Sequence, residues 1–276
     1  MALRTAQNNL AISFRNLHTP GQPLLLTNIY DAATASIIAS HPSTKAIATA
    51  SYAIAASQGV PDSSLTLPLN LASVRSISAA LKCTKDASGE SIANKLPLTV
   101  DIQDGYADIA QTITEIINLG AVGCNIEDLD SATGMLRPLP EAVHRIKKAM
   151  QTARDLGVPD FVINARTDVL CENPGGKPGS IDEAIERGRA FLEAGACTVF
   201  VWGGAGGRGV SRGEVAELVA GFSGKLNVKL VLRDGFLTVT ELKELGVARI
   251  SVGPELYRAA MGAFKEKADA LLASYD

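Results

Sequence analysis

A closed barrel of eight parallel strands wrapped by eight helices, the (β/α)8 or TIM-barrel fold, is the architecture this chain predicts. Three observations carry it. Short β-rich apolar runs alternate strictly with longer segments of helical period. Eight of each can be counted in 276 residues, a length within the span of one such barrel. Polar clusters close several of the runs, always at the same end. No linker rich in proline, serine or charge divides the chain, so a single domain over residues 1–276 is expected instead of an open doubly wound sheet.

The first element is a helix over about 5–18, where Leu10, Phe14 and Leu17 recur at helical spacing before His18-Thr-Pro-Gly stops it. It is expected to lie across one end of the barrel. Strand one is PLLLTNI (23–29) with a helix over 31–40, and strand two is KAIATA (45–50) with a helix over 69–82. PLTVDI (97–102), VGCNIE (122–127) and DFVINA (160–165) follow, with helices over 106–119, 138–156 and 180–195. CTVFVW (197–202), LNVKLV (226–231) and ARISV (248–252) complete the set, with helices over 211–221, 237–245 and 254–274.

Bulk composition excludes several function classes. With 46% hydrophobic and 20% charged residues and a mean hydropathy of +0.15, the chain can bury a large core. A net charge of −3 with scattered basic residues offers no cationic face, so no nucleic-acid partner is expected. No run approaches the ~20 apolar residues that span a bilayer. Four cysteines without CxxC spacing fit reduced thiols in a cytoplasmic protein. The first 30 residues hold Arg4 and Arg15 and no acid, which also suits a mitochondrial targeting segment.

In such barrels the working site lies at the C-terminal ends of the strands. Strand two ends in Thr49-Ala-Ser51, strand three in Asp101-Ile-Gln103-Asp104, strand four in Asn125-Ile-Glu127-Asp128 and strand five in Asn164-Ala-Arg166-Thr-Asp168. Strand alternation puts Asp101 with Gln103, Asn125 with Glu127, and Asn164 with Arg166 on faces directed to the barrel mouth. Two carboxylates ~6 Å apart at an effective dielectric near 20 repel by roughly 3 kcal/mol, so such acids need compensation. Arg166, a divalent cation or a bound proton can supply it. Asp104 or Asp108 can instead cap the third helix, and Asp168 can order its own loop.

The segments NIYDAATASII, SQGVPDS, VDIQDGY, GCNIEDLD, VINARTDVL, EAGACTVFV and ELGVARISVGPELYRAAM together resemble the isocitrate lyase/phosphoenolpyruvate mutase superfamily, from about Leu24 to Leu272. The closest likeness is to its mutase-like branch, which includes carboxyphosphonoenolpyruvate phosphonomutase. The resemblance implies Mg2+, with Mn2+ as an alternative, on Asp101, with Asp62, Gln103 and Glu127 completing the metal surroundings. It implies that Thr49, Ala50, Ser51 and Tyr52 hold the carboxylate of a small 2-oxo acid, and that Arg166 meets its oxygen-rich end. Asn164 and Trp202 are further candidate substrate contacts, and Arg166, Glu127 and Asp62 the candidate catalytic groups. The chemistry implied is a lyase or mutase reaction through an enolate, breaking or forming a C–C or P–C bond. A dimer or tetramer is also implied, with the last helix crossing to a neighbouring subunit.

Two departures from the family pattern matter. Gln103 stands where a second acid is usual, and residues 129–138, LDSATGMLRP, replace the lyase lid KKCGH. Isocitrate or methylisocitrate cleavage needs an acid in that lid, so neither is expected here. Arg137 is the only cation of the loop and a candidate for part of the lid's role.

Other signals have competing readings. GAGGRG (204–209) satisfies a dinucleotide fingerprint but follows the sixth strand, which favours a loop at the barrel mouth with Arg208 reaching an anion. Lys229, inside strand seven, is either a Schiff-base nucleophile of an aldolase or the partner of an acid. None of His18, His41 and His144 has the setting of a catalytic base. A barrel that binds an oxo acid without turning it over is the alternative outside enzyme chemistry.

Overall fold

The computed structural model describes residues 2–85, 91–171, 178–204 and 208–275. In chain order its elements are α1 (Ala2–Asn16), β1 (Leu24–Leu26), β2 (Asn28–Ile29), α2 (Ala32–Ser40), β3 (Ile47–Thr49), α3 (Ser51–Ser57), a 3-10 turn (Asp62–Ser64), α4 (Leu67–Leu81), β4 (Lys82–Lys85) and β5 (Ser91–Asn94). They continue with β6 (Leu98–Asp101), α5 (Ile109–Asn118), β7 (Gly123–Glu127), α6 (Leu139–Asp155), β8 (Val162–Thr167), α7 (Ile181–Glu193) and β9 (Thr198–Val201). The last are α8 (Arg212–Gly221), β10 (Leu226–Lys229), α9 (Val239–Glu244), β11 (Arg249–Ser251) and α10 (Glu255–Ala273).

The main sheet runs β1-β11-β10-β9-β8-β7-β6-β3-β2, every pair parallel. β1 and β2 are two halves of one strand, interrupted at Thr27. The first half pairs with β11 (Leu24 opposite Arg249) and the second with β3 (Asn28 opposite Ala48), so an eight-stranded barrel closes. A closed parallel sheet has no edge left to pair.

Side-chain alternation divides each strand between two environments. Leu98, Val100, Ile102, Cys124, Ile126, Ile163 and Ala165 are buried with the helices in the principal core. Their neighbours face inward, and this interior is polar where barrels of this type usually hold Val, Ile and Leu. Thr198 donates to Asn164 Oδ1 at 2.7 Å, and Asn164 donates to Asn125 Oδ1, giving a buried hydrogen-bonded belt across β7, β8 and β9.

Helix entries follow local chemistry. Asp31, Ser180, Ser211 and Thr238 each form a capping box with the residue three positions on. Asp108 caps α5 by accepting from the Ala110 and Gln111 amides, and Asp104 takes no part in it. α1 begins and ends earlier than its apolar spacing suggests. Gln7 and Arg15 tie it to main-chain carbonyls of Ile117, Ala121, Asp160 and Phe161, and Phe14 is fully buried. A Cβ on Gly123 would sit 2.6 Å from the Val162 carbonyl oxygen and 2.9 Å from Phe14, so Phe14 plugs the barrel at its N-terminal end. Gly123→Ala is therefore expected to destabilise by about 1–3 kcal/mol in urea unfolding; an unchanged midpoint would show that the plug is not tight.

Three elements are absent from the sequence expectation. α3 occupies SYAIAAS, a segment with no side-chain cap and too short to show a period. β4 and β5 form an antiparallel pair, with Lys82 opposite Asn94, outside the barrel.

Candidate active site

β6 ends at Asp101, and the chain then turns sharply. Gln103 takes φ = 51°, a left-handed conformation that a residue with a side chain adopts at a cost. Alternation therefore stops at the strand end, and Gln103 does not share the inward face with Asp101 as its spacing suggested. Its Nε2 instead donates to the Asp62 main-chain oxygen at 2.8 Å and to Oδ1 at 3.2 Å. Asp101 Oδ2 accepts from the Ser51 amide at 3.0 Å, while the Asp101 amide donates to Thr49 Oγ1 at 2.8 Å. Asn28 fastens this corner to the last strand: its Nδ2 donates to Thr49 O, and its Oδ1 accepts from the Val252 and Gly253 amides.

Asp62 is held above the ordinary carboxylate range, first by burial and then by the charge of Asp101, against the hydroxyl of Ser51. The folded protein thus binds this proton more tightly than the unfolded chain. Its stabilising effect is complete below the unfolded aspartate pKa and is lost as pH rises through the higher folded value. In chelator, the stability of Asp62→Asn relative to wild type is expected to increase across that window and level off above it. A difference independent of pH would show that Asp62 is not strained by its neighbour.

Arg166 is the second anchor. Its Nε and Nη2 meet Asp168 at 2.5 and 2.7 Å, and Nη2 also lies 2.9 Å from Glu127. The guanidinium stands 4.2 Å from the Trp202 ring centroid and 5.8 Å from that of Phe200. Burial works to lower the Arg166 pKa, but Asp168 and Glu127 outweigh it and raise the value. Burial also pushes the Glu127 carboxyl well up, against the pull of Arg166. Asp168 is completely buried, and its carboxylate is spent on the arginine.

The loop over 129–138 is fastened away from this centre. Arg137 bonds Asp104 at 2.8 Å, Asp130 at 3.0 Å and Glu141 at 2.6 Å. Asp104 also accepts from the Ser131 amide and hydroxyl, and Arg187 bridges Asp128 and the Arg137 carbonyl. Three carboxylates surround Arg137, so it cannot stand in for a lid cation at the cavity. Arg208 is likewise held by Glu214, and residues 205–207 of GAGGRG lie outside the described residues.

A cavity of about 560 Å³ opens at the C-terminal ends of the strands, within the range of roughly 300–1,000 Å³ usual for small-molecule sites. Of the residues nominated from sequence, Thr49, Ala50, Ser51, Tyr52, Asp62, Asp101, Arg166 and Trp202 line it, and Gln103, Glu127 and Asn164 do not. Asn164 is spent in the belt beneath, since both its amide groups are satisfied by Asn125 and Thr198. Gln103 and Glu127 instead hold wall residues, Asp62 and Arg166. Lys229 is the partner of an acid, Glu255 at 2.9 Å, the second of the two roles its sequence position allowed; sequence reading missed Asn28 and the wall cations Arg233, Arg249 and Arg258. Five cations line the cavity (Arg166, Lys229, Arg233, Arg249 and Arg258) against three acids (Asp62, Asp101 and Glu255), an excess of 5 − 3 = 2 positive charges that favours polyanionic ligands. No histidine lines it.

Could a metal fit? Among the described residues no three His, Cys, Asp or Glu side chains form a ready cage. Mg2+ needs none, taking one or two carboxylates with waters and a substrate oxygen. The Asp62 and Asp101 pair offers only hard oxygens, and their mutual repulsion is what a cation relieves. The donor set fits.

The model of the phosphoenolpyruvate phosphomutase family matches residues 14–272. An uncharacterized protein of Mycobacterium tuberculosis H37Rv is 30% identical over 262 residues, 94% of this chain and 89% of that one. A Burkholderia cenocepacia J2315 structure, described provisionally as a phosphonomutase, is 35% identical with a TM-score of 0.80 over 98% of this chain and 100% of that one. The structure of an oxaloacetate acetylhydrolase is 26% identical with a TM-score of 0.76, covering 95% and 86% of the two chains. With barrel, strand-end acids and family match in agreement, this chain belongs to the phosphoenolpyruvate mutase/isocitrate lyase superfamily of lyases and mutases.

Proposed function

We propose that the protein is a magnesium-dependent lyase or mutase acting on a small 2-oxo acid that carries a second anionic group, through an enolate. The observation that carries this is the cavity wall: Asp101 and Asp62, the latter held above its ordinary range by burial and by Asp101, share with a fully braced arginine a space with excess positive charge. Asp101 would be the principal metal ligand with Asp62 beside it, Gln103 and Glu127 standing behind through their bonds to Asp62 and Arg166, and bound Mg2+ (or Mn2+) would supply charge neutralisation for the oxo acid's paired oxygens.

The chain's own groups do the rest. Arg166 faces the oxygen on which charge develops, and its bonds to Asp168 and Glu127 fix it there without reorganisation. In the turn Thr49-Ala50-Ser51-Tyr52 the Ala50 and Ser51 amides are taken by Ile29 O and Asp101, which leaves the Tyr52 amide at the start of α3 and the Ser51 hydroxyl for the substrate carboxylate. Trp202 shields the arginine from water. Residues 129–138 hold no Cys, His or Lys, and their one carboxyl, Asp130, is tied to Arg137 and to the amides of its own loop, so a carbon–carbon or carbon–phosphorus bond whose leaving fragment needs no lid acid is favoured. Binding C–C cleavage to a dicarboxylate accords with the similarity to an oxaloacetate acetylhydrolase.

The deciding experiment incubates the protein with oxaloacetate, phosphonopyruvate, methylisocitrate and 2-oxo-3-hydroxy acids, with Mg2+ or with chelator, and follows product by mass. Turnover of one substrate, abolished by chelator, is expected. Borohydride trapping of Lys229 would move the reaction to an aldolase, which its pairing with Glu255 opposes. Oxalate binding strengthened by Mg2+ with no turnover would mark a binding protein.

Assembly follows the same reading. No residue of α10 is buried, and Phe264, Leu271 and Leu272 are each at least 70% exposed. We propose that this helix packs on another subunit in a dimer or tetramer. Light scattering of wild type against Phe264→Glu/Leu271→Glu tests it, with a shift to monomer expected.

A further inference from the structure

Beneath Asp101 and Lys229 the inward face of the barrel carries Arg249, the first residue of β11. It is 2% exposed, lies opposite Leu24 and Asn227 in the sheet, and lines the cavity from below. Ile250 beside it packs in the outer core, which leaves Arg249 and Ser251 directed to the axis. Its Nε and Nη1 are buried with no hydrogen-bond partner among the described residues. Thr99 Oγ1, on another wall of the same cavity, and Asn227 Oδ1 are orphaned as well. Buried guanidinium groups are paired almost without exception, because each unmet N–H carries its full desolvation cost.

The surroundings do not supply the missing charge. Among the described residues Asp101 is the only carboxylate that acts on Arg249, and its oxygens already accept from Ser51, Gln103 and Asn125. Cys124 and Cys197 are kept protonated by burial. His18 is depressed to about 3, by burial first and then by Arg249 itself, and so stays neutral. Burial lowers Arg249 only to about 10, which leaves it charged at neutral pH.

We propose that Arg249 is the base of a second anion subsite on the barrel axis, below the oxo-acid position, which takes one carboxylate-sized anion. The anion is either a free ion or the distal carboxylate of an extended substrate. The site itself does not depend on the proposed reaction; only the second source does.

Crystals of the full chain grown without chloride and soaked in millimolar sodium bromide test the site directly. An anomalous peak within contact distance of Arg249 Nε or Nη1 is expected. Ordered water alone there, or bromide appearing only at molar concentration as an adventitious ion only, overturns the proposal. In solution, bromide and formate are expected to raise the Tm of wild type and leave that of Arg249→Met unchanged; an equal rise in both overturns it. Calorimetry separates the sources. If the substrate fills the site, a four-carbon dicarboxylate displaces bromide, and Arg249→Met weakens the dicarboxylate at least about tenfold while sparing oxalate. If a free ion fills it, bromide and dicarboxylate bind together. Should Arg249→Met fail to fold, the bromide map of wild type still decides, and absence of turnover would leave that map untouched.

Discussion

Replacing Arg166 by methionine lowers folding stability by about 3–5 kcal/mol, the usual cost of leaving a buried charge uncompensated. The reason is local: Asp168 is wholly buried, Glu127 nearly so, and among the described residues both carboxylates are paired only through this guanidinium. Burial already pushes Glu127 upward and Arg166 is the first force opposing it, so in the variant its carboxyl keeps its proton to still higher pH. The stability deficit is therefore greatest in alkaline solution and shrinks on acidification, which urea unfolding across pH reads directly. Arg166→Lys restores a charge but not the two-pronged contact with Asp168 or the stacking on Trp202. It recovers part of the stability and none of the turnover. A stable, active lysine variant would show that the arginine is structural and meets no substrate.

Asp101→Asn is expected to cost at least about 10²–10³-fold in turnover, the scale of losing one preorganised charge-stabilising group, and to remove the effect of Mg2+ on oxalate binding. It also has a signature, read on variant protein whose unchanged urea midpoint shows it folded, since unfolding would release Asp62 from burial as well. Asp101 is the second cause of the raised Asp62 pKa, so the Asp62 carboxyl falls toward its ordinary range in the variant, as carbon-detected NMR titration can follow. Magnesium-dependent oxalate binding that survives the substitution would remove the metal from Asp101.

The barrel was legible because its signal is local and repeated. Val100, Ile102, Ile126 and Ile163 announce strands by β-branching, and Asp31, Ser180, Ser211 and Thr238 announce helix starts by their capping chemistry. Even the convergence of Asp101 and Arg166 follows, since parallel strands in one barrel end at one mouth. α3 and the antiparallel pair β4 and β5 were not legible, because segments of seven residues or fewer without caps show no period.

By itself, then, the sequence determined the architecture, the family and the end of the barrel at which acids gather. Only the tertiary structure decided which charges meet. Arg137 reads as a lid cation until Asp104, Asp130 and Glu141 close on it, and Asn164 as a substrate contact until Asn125 and Thr198 satisfy it. Lys229 finds Glu255, and the Nε and Nη1 of Arg249 find no partner among the described residues. These outcomes join side chains tens of residues apart, and their energies turn on ångström separations and loss of water that exist only once the barrel has closed.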